Sequence, residues 1–327
     1  MMLGIELTPE HPVSRIADLG ARAEESGFDT AFVSCHHFNR DPWVALDRIA
    51  QRTDAMRVGP GTVNPLETHP VTLAARTASL QEASGGRAVY GIGPGDPSSL
   101  GTLGLAEDRG LRPVLEAFET ARRLWAGETV SHEGTFEADR AELKFDVEGN
   151  IPVHVGGEGP HMCRMAGKHA DGLLFNGSHP DDLAWARDRV EEGKADRPDS
   201  RGTFTLSAYA AVSVAEDGDA AREAARAPVA FIVSGAAPPV LDRHGIDSAA
   251  VESVREALAD SRFGDAYAAV TPAMVEAFCI AGTPDAVTER MAALREYVDG
   301  LVVGSPLGPS LDEAVELAGE AAREAGF

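Results

Sequence analysis

Eight short apolar segments recur along this chain, each followed by a stretch with helical spacing, and few folds accommodate that alternation. The segments are residues 3–7, 30–34, 57–63, 88–92, 152–155, 172–175, 204–214 and 300–303. They are mostly unbroken apolar runs, which means burial on both faces, as in a parallel sheet covered by helices. The clearest helix lies over 111–125, where Leu111, Val114, Leu115, Phe118, Ala121, Leu124 and Trp125 share one face. Pro42, Pro70 and Pro284 each open a helical stretch, and Thr283 is placed to cap the last of these. Eight β–α units in 327 residues predict an α/β fold, a TIM (β/α)8 barrel built as one domain over 1–327. Residues 127–150 lack helical period and read as a β-ribbon insertion; 217–280 read as a second, mostly helical one. A doubly wound sheet is the alternative, but the first strand lacks the phosphate fingerprint of a dinucleotide fold.

In a barrel the chemistry sits at the C-terminal ends of the strands. Those ends carry Glu6, Cys35-His36-His37, Gly61-Thr62-Val63-Asn64, Gly93-Pro94-Gly95-Asp96, Gly156-Gly157-Glu158-Gly159, Asn176 and Gly304-Ser305. A rim so rich in glycine exposes backbone N–H groups, which suits a flat ring system with a phosphate tail. Glu6 suits either a catalytic acid or an ion-paired carboxylate. His36 and His37 diverge from one strand end with no third ligand spaced to help, so hydrogen-bonding or acid–base work fits them better than a metal. Asp96 suits equally the cap of the turn that follows it.

Charge narrows the partners. Asp plus Glu number 52 against 29 Lys plus Arg, a formal net charge of −23, and only Lys144, Lys168 and Lys194 are lysine. Nucleic acids and anionic membranes are poor partners for such a surface. The apolar runs are too short to cross a bilayer, and no secretory signal opens the chain. Three cysteines without metal spacing fit a reducing cytoplasm. Abundant carboxylate with almost no lysine resembles proteins of salt-loving organisms.

Taken together, the motifs resemble the luciferase-like barrel superfamily, and within it the deazaflavin-dependent methylenetetrahydromethanopterin reductases. The resemblance runs over nearly the whole chain. It rests on Gly4-Ile5-Glu6, Val58-Gly59-Pro60-Gly61-Thr62-Val63-Asn64-Pro65, Gly86-Arg87-Ala88 and Ile92-Gly93-Pro94-Gly95-Asp96. Further matches are Gly172 to Asn176, Val229-Ala230-Phe231-Ile232, Pro238-Pro239-Val240, Arg243-His244-Gly245 and Gly304-Ser305-Pro306-Leu307-Gly308-Pro309.

The resemblance implies coenzyme F-420, an 8-hydroxy-5-deazaflavin, at the strand ends, with FMN as the alternative. It implies a cis peptide at Gly61–Thr62 behind the ring, with Val63 beyond it. Backbone contacts would come from Gly93, Pro94 and Gly95 and from Gly156, Gly157, Gly159 and Pro160, with Asn176 from the sixth strand. Glu6, His36 and Asp96 are the implied catalytic groups. Relatives carry Asp-His after the second strand, whereas here Cys35, or His36 if the gap falls one residue later, takes the aspartate's place.

The implied reaction is hydride transfer from the reduced deazaflavin to the methylene carbon of a reduced pterin, tetrahydromethanopterin or tetrahydrofolate, with Glu6 protonating the bridging nitrogen. Relatives assemble as homo-oligomers, dimers or tetramers. Another F-420-dependent dehydrogenase, an FMN-dependent monooxygenase and a ligand-binding barrel without catalysis are the other readings.

The charge has a direct consequence for stability. In molar salt the Debye length falls to about 3 Å, so repulsion among surface carboxylates is screened. The melting temperature should rise steeply between about 0.1 M and 1 M salt; a value indifferent to salt would show that the acidic surface is no adaptation to it.

Overall fold

A computed structural model describes residues 1–105 and 110–327. The chain divides into two compact units, one comprising Gly4–Leu174 and Asp188–Leu206, the other Met1–Leu3, Phe175–Arg187 and Ser207–Phe327.

The first unit alternates strand and helix as the apolar runs require. Its strands are β1 (Met2–Leu7), β2 (Thr30–Val33), β3 (Arg57–Pro60), β4 (Tyr90–Ile92), the ribbon strands β5 (Val130–Glu133) and β6 (Glu137–Ala141), then β7 (Val153–Gly156) and β8 (Gly172–Asn176). The outer residues of β1 and β8 belong to the second unit. Strands β1, β2 and β3 pair in parallel, with Glu6 beside Phe32 and Phe32 beside Gly59. Strands β4, β7 and β8 do the same, with Gly91 beside His154 and His154 beside Gly172. Isolated parallel bridges, Val58 to Ala88 and Val63 to Ile92, join β3 to the neighbourhood of β4.

Local chemistry sets the helix limits. Asp41 accepts hydrogen bonds from the Trp43 and Val44 amides, and Pro42 starts the helix Pro42–Ala50. The helix Val13–Glu25 ends before Gly27, whose φ of 95° is left-handed. The helix Leu111–Trp125 buries Val114, Phe118, Ala121 and Leu124, as its spacing predicts. Its last residue donates from the Trp125 indole to the Ala74 carbonyl at 3.0 Å and meets Tyr90 edge-on.

The ribbon expected over 127–150 is an antiparallel pair, β5 with β6. Glu116 staples it to the long helix by accepting from the Thr135 amide and hydroxyl and from His132. Burial works to raise the Glu116 pKa, but these bonds and the one from Arg112 outweigh it and hold the carboxyl at about 2.

The second unit is built on β9 (Thr205–Val214). It pairs in parallel with β10 (Ile280–Gly282) and with β11 (Gly300–Leu307). Strand β10 is absent from the sequence reading, because three residues are too few to show a period. The helical insertion packs its own apolar cluster, with Val229, Val233, Val254 and Met274 fully buried. Arg243 and His244 both donate to Asp182, a buried carboxylate on the helix Pro180–Lys194, so that motif is a packing clamp. Thr283 stands at the N-cap position of Pro284–Leu294, but its hydroxyl makes no capping bond, contrary to expectation. Its methyl group instead lies against Gly218. No helix among the described residues is long and apolar enough to cross a membrane.

Arg87, in the first unit, ties three elements together. Its guanidinium donates to the Ala50, Met56 and Ser84 carbonyls at 2.8, 2.6 and 2.7 Å and to the Thr53 hydroxyl at 3.1 Å. Arg87→Met keeps the stem but leaves those carbonyls without a donor, and should cost about 2 kcal/mol in denaturant unfolding. A loss below about 0.5 kcal/mol would mean that water replaces the guanidinium at no penalty.

Candidate active site

The candidate site of the first unit grows from one place where the backbone has no room. A Cβ at Gly59 would sit 2.3 Å from the Val89 carbonyl oxygen, and one at Gly91 would sit 1.9 Å from that of Pro60. Only glycine allows β3 and β4 to approach so closely. Strand β3 stops at Pro60, the Gly61–Thr62 peptide is cis, and pairing resumes with the Val63 amide on Gly91 and the Gly93 amide on Val63. The Thr62 side chain fills the space this excursion opens. Its Oγ1 and Cγ2 lie 2.7 and 2.9 Å from where Cβ atoms would stand on Gly93 and Gly156. Gly61, Thr62, Val63, Gly93 and Gly156 are thus brought together.

Beyond β4, Gly95 takes φ +85° and turns the chain into a short helix, Pro97–Thr102, which the sequence reading did not assign. Asp96 caps it, accepting from the Ser99 amide at 2.8 Å. The Ser99 hydroxyl lies 3.3 Å from His36 Nδ1. Asp96 and His36 therefore meet through Ser99, a residue that no sequence pattern marked. His36 is half-buried and stacks on Phe38, whereas His37 is exposed and pairs with the Thr102 hydroxyl at 2.9 Å.

Glu6 is buried at the end of β1 and accepts from the Thr8 hydroxyl at 2.8 Å. The Cys35 thiol donates to the Val33 carbonyl at 3.3 Å. Burial pushes this thiol up, and the carboxylates of Glu67, Asp41 and Glu6 push it further, so it stays neutral. On the other side, Gly156 ends β7 and Gly157 follows it, and exposed Gly159 and Pro160 begin the helix Pro160–His169. Asn176 ends β8 as an exposed residue of the second unit.

His154 was missed by sequence reasoning; a lone histidine in an apolar strand gives no pattern to notice. It is buried on β7, its ring 6.4 Å from that of Phe32, and its Nδ1 has no partner among the described residues. Burial lowers its pKa to about 4, so the imidazole is neutral at pH 7. An unfolded chain binds that proton first, so His154 withdraws stability as pH falls from about 6.5 towards 4.

This arrangement suits a flat ring with an anionic tail. Strand ends without Cβ atoms let a ring lie against backbone, and the helix start at Gly159–Pro160 offers unpaired amides and a positive dipole end. Glu6 is the one carboxylate among the named rim residues that is buried, as proton transfer out of bulk water requires.

The cysteines give a direct check on this environment. Burial raises Cys163 and Cys279 to about 12 and Cys35 beyond them. Since the thiolate is the reactive form, the folded protein at pH 8 should react with a disulfide reagent orders of magnitude more slowly than the unfolded chain. One thiol reacting at the unfolded rate would place Cys35 in water.

Residues 3–299 match the family described as luciferase-like monooxygenase. A 5,10-methylenetetrahydromethanopterin reductase of Archaeoglobus fulgidus is 39% identical over 98% of both chains. Another from Methanolobus tindarius is 36% identical over 98% of this chain and 99% of its own. The structure of a coenzyme F-420 dependent tetrahydromethanopterin reductase from Methanopyrus kandleri superposes with a TM-score of 0.92 at 35% identity, over 98% of each chain. The expected TIM barrel of luciferase-like type is therefore the fold, and the chain belongs to the luciferase-like family, in the branch of the methylenetetrahydromethanopterin reductases.

Proposed function

We propose that this protein is an oxidoreductase that reduces the methylene group of a 5,10-methylene-tetrahydropterin to a 5-methyl group at the expense of reduced coenzyme F-420. The observation that carries the reading is the buried Glu6 carboxyl, in the same unit as the Thr62 excursion and its glycine neighbours. The near-full-length likeness to reductases of that name supports it. When bound, the reduced deazaflavin supplies a hydride from ring position 5.

The chain's own residues do the rest. Gly61, Thr62 and Val63 form the floor, and Gly93, Pro94, Gly95, Gly156, Gly157, Gly159 and Pro160 hold ring and tail through backbone contacts. The hydroxyl of Thr8 donates to Glu6 at 2.8 Å and orients the carboxyl that supplies the proton. Glu6 delivers that proton to the bridging nitrogen of the substrate, which opens the five-membered ring and makes the methylene carbon electrophilic. His36, steadied by Ser99 and through it by Asp96, donates a polar contact to the ring edge. Cys35 is buried and neutral, so its thiol adds no negative charge at this strand end. The carrier is tetrahydromethanopterin or tetrahydrofolate, and the enzyme works in the cytoplasm as a homo-oligomer.

Two measurements test this. Titration should show the deazaflavin binding at micromolar affinity or tighter, roughly −8 kcal/mol, with FMN weaker; a preference for FMN would point to the monooxygenase reading. Glu6→Gln removes the transferable proton and keeps the shape, so kcat should fall about 10²–10⁴-fold with deazaflavin affinity nearly unchanged. A kcat preserved within a few-fold would remove Glu6 from the acid's role.

A further inference from the structure

Beside the rim, within the first unit, lies an open cleft of about 300 Å³ that the proposed reaction has not yet used. Cys35, His36 and Val63 line it, so it continues from the candidate site, and Trp43, Glu67 and Arg76 line it as well. Its charges come in opposed pairs, Asp41 and Glu67 against Arg40 and Arg76, which disfavours a phosphate or polycarboxylate tail as its occupant.

The polar groups of this cleft are not equivalent. Asp41 spends one oxygen capping its helix, and Arg40 donates to the Glu10 carbonyl. Glu67 is held from behind instead. Buried Asn64 donates from Nδ2 to Glu67 Oε2 at 3.2 Å, while its Oδ1 accepts from the Leu66 and Glu67 amides at 3.2 and 2.8 Å. Glu67 Oε1 accepts no hydrogen bond among the described residues, and the exposed Arg76 has no ion pair among them. Trp43 is half-buried and offers an indole to the same space. A pinned carboxylate, a guanidinium and an indole lining one cleft suit a flat ring with two neighbouring N–H donors and an oxo acceptor. The 2-amino-4-oxopyrimidine ring has that pattern, and both tetrahydromethanopterin and tetrahydrofolate carry it.

We infer that this cleft takes the 2-amino-4-oxopyrimidine end of the substrate, with Glu67 accepting from its two neighbouring N–H groups, Arg76 donating to its oxo oxygen and Trp43 covering one ring face. The inference rests on the methylene-pterin reading above. Asn64 is a positioning residue in this scheme, acting through Glu67.

Steady-state kinetics at saturating reduced coenzyme F-420 test it, using the wild type, Glu67→Gln and Arg76→Gln with methylene-tetrahydromethanopterin and methylene-tetrahydrofolate in separate arms. For whichever carrier the wild type reduces, each variant should raise KM about ten- to a hundredfold, the range for a lost charge-assisted bond, with kcat within about fivefold. Deazaflavin Kd, measured on the same preparations, should not move, which also shows that the variants are folded. A 2-deamino analogue of the carrier should be a poor substrate for the wild type, and Glu67→Gln should discriminate against it much less. KM unchanged within about twofold in both variants would overturn the inference while leaving the reaction standing. A rise in deazaflavin Kd in place of KM would overturn it too, by assigning the cleft to the cofactor. A wild type that reduces neither carrier would overturn the reaction, and the inference with it.

Discussion

The candidate site depends on a backbone approach too close for any side chain. Gly91 packs its Cα against the Pro60 carbonyl and Gly59 against that of Val89, so β3 and β4 are locked at the point where β3 leaves the sheet. The cis peptide at Gly61–Thr62 follows at once, and the Thr62 side chain comes to rest over Gly93 and Gly156. Everything downstream inherits that placement. The chain that emerges at Val63 carries buried Asn64, whose side chain orders the turn to Glu67. On the facing strand, Gly95 bends the chain so that Asp96 caps a short helix and sets Ser99 against His36. Two loops that are far apart in sequence are thus aimed by one steric constraint.

The electrostatics around that framework are sparing for so acidic a chain. The Cys35 thiol and the His154 imidazole are both kept neutral by burial. Glu6 is the buried rim carboxylate, and its visible partner, Thr8, is neutral. Charge in excess is left to the exposed surface, where water and salt screen it. Elsewhere two buried or partly buried carboxylates sit in tight sets of partners. Asp182 lies between Arg243 and His244, and Glu116 beneath Thr135, His132 and Arg112. These sets fasten an insertion in each unit and account for motif residues that stand outside the proposed chemistry.

Much of this was legible in the sequence, for identifiable reasons. Unbroken apolar runs betray strands buried on both faces, and helix 111–125 is long enough to show its period. Gly59 in the third strand and the loop glycines Gly93 and Gly95 stood out because glycine there asks for a cause, whereas Gly91 inside β4 did not. What remained hidden depends on contacts between residues remote in the chain. Arg87 belongs to a motif whose purpose the sequence does not reveal until its guanidinium is seen on the Ala50, Met56 and Ser84 carbonyls. Asp96 fits a cap or a catalyst equally well on paper, and its bond to the Ser99 amide makes it a cap that also orders Ser99 beside His36. Strand β10 and the helix Pro97–Thr102 are too short to carry a period of their own. The pairing of Asn64 with Glu67 spans three residues and resembles an ordinary turn until the cleft beside it is seen.

At the centre stands direct hydride delivery from a deazaflavin to a one-carbon unit, on a rim that holds both molecules in place. Isotope tracing follows that event most closely. Reduced coenzyme F-420 carrying deuterium at ring position 5 would be mixed with the enzyme and its methylene-pterin in ordinary water, and the product analysed by mass spectrometry. A methyl group bearing one deuterium from the cofactor is the expected result. A methyl product carrying only solvent hydrogen, or no methyl product from either carrier, would contradict it.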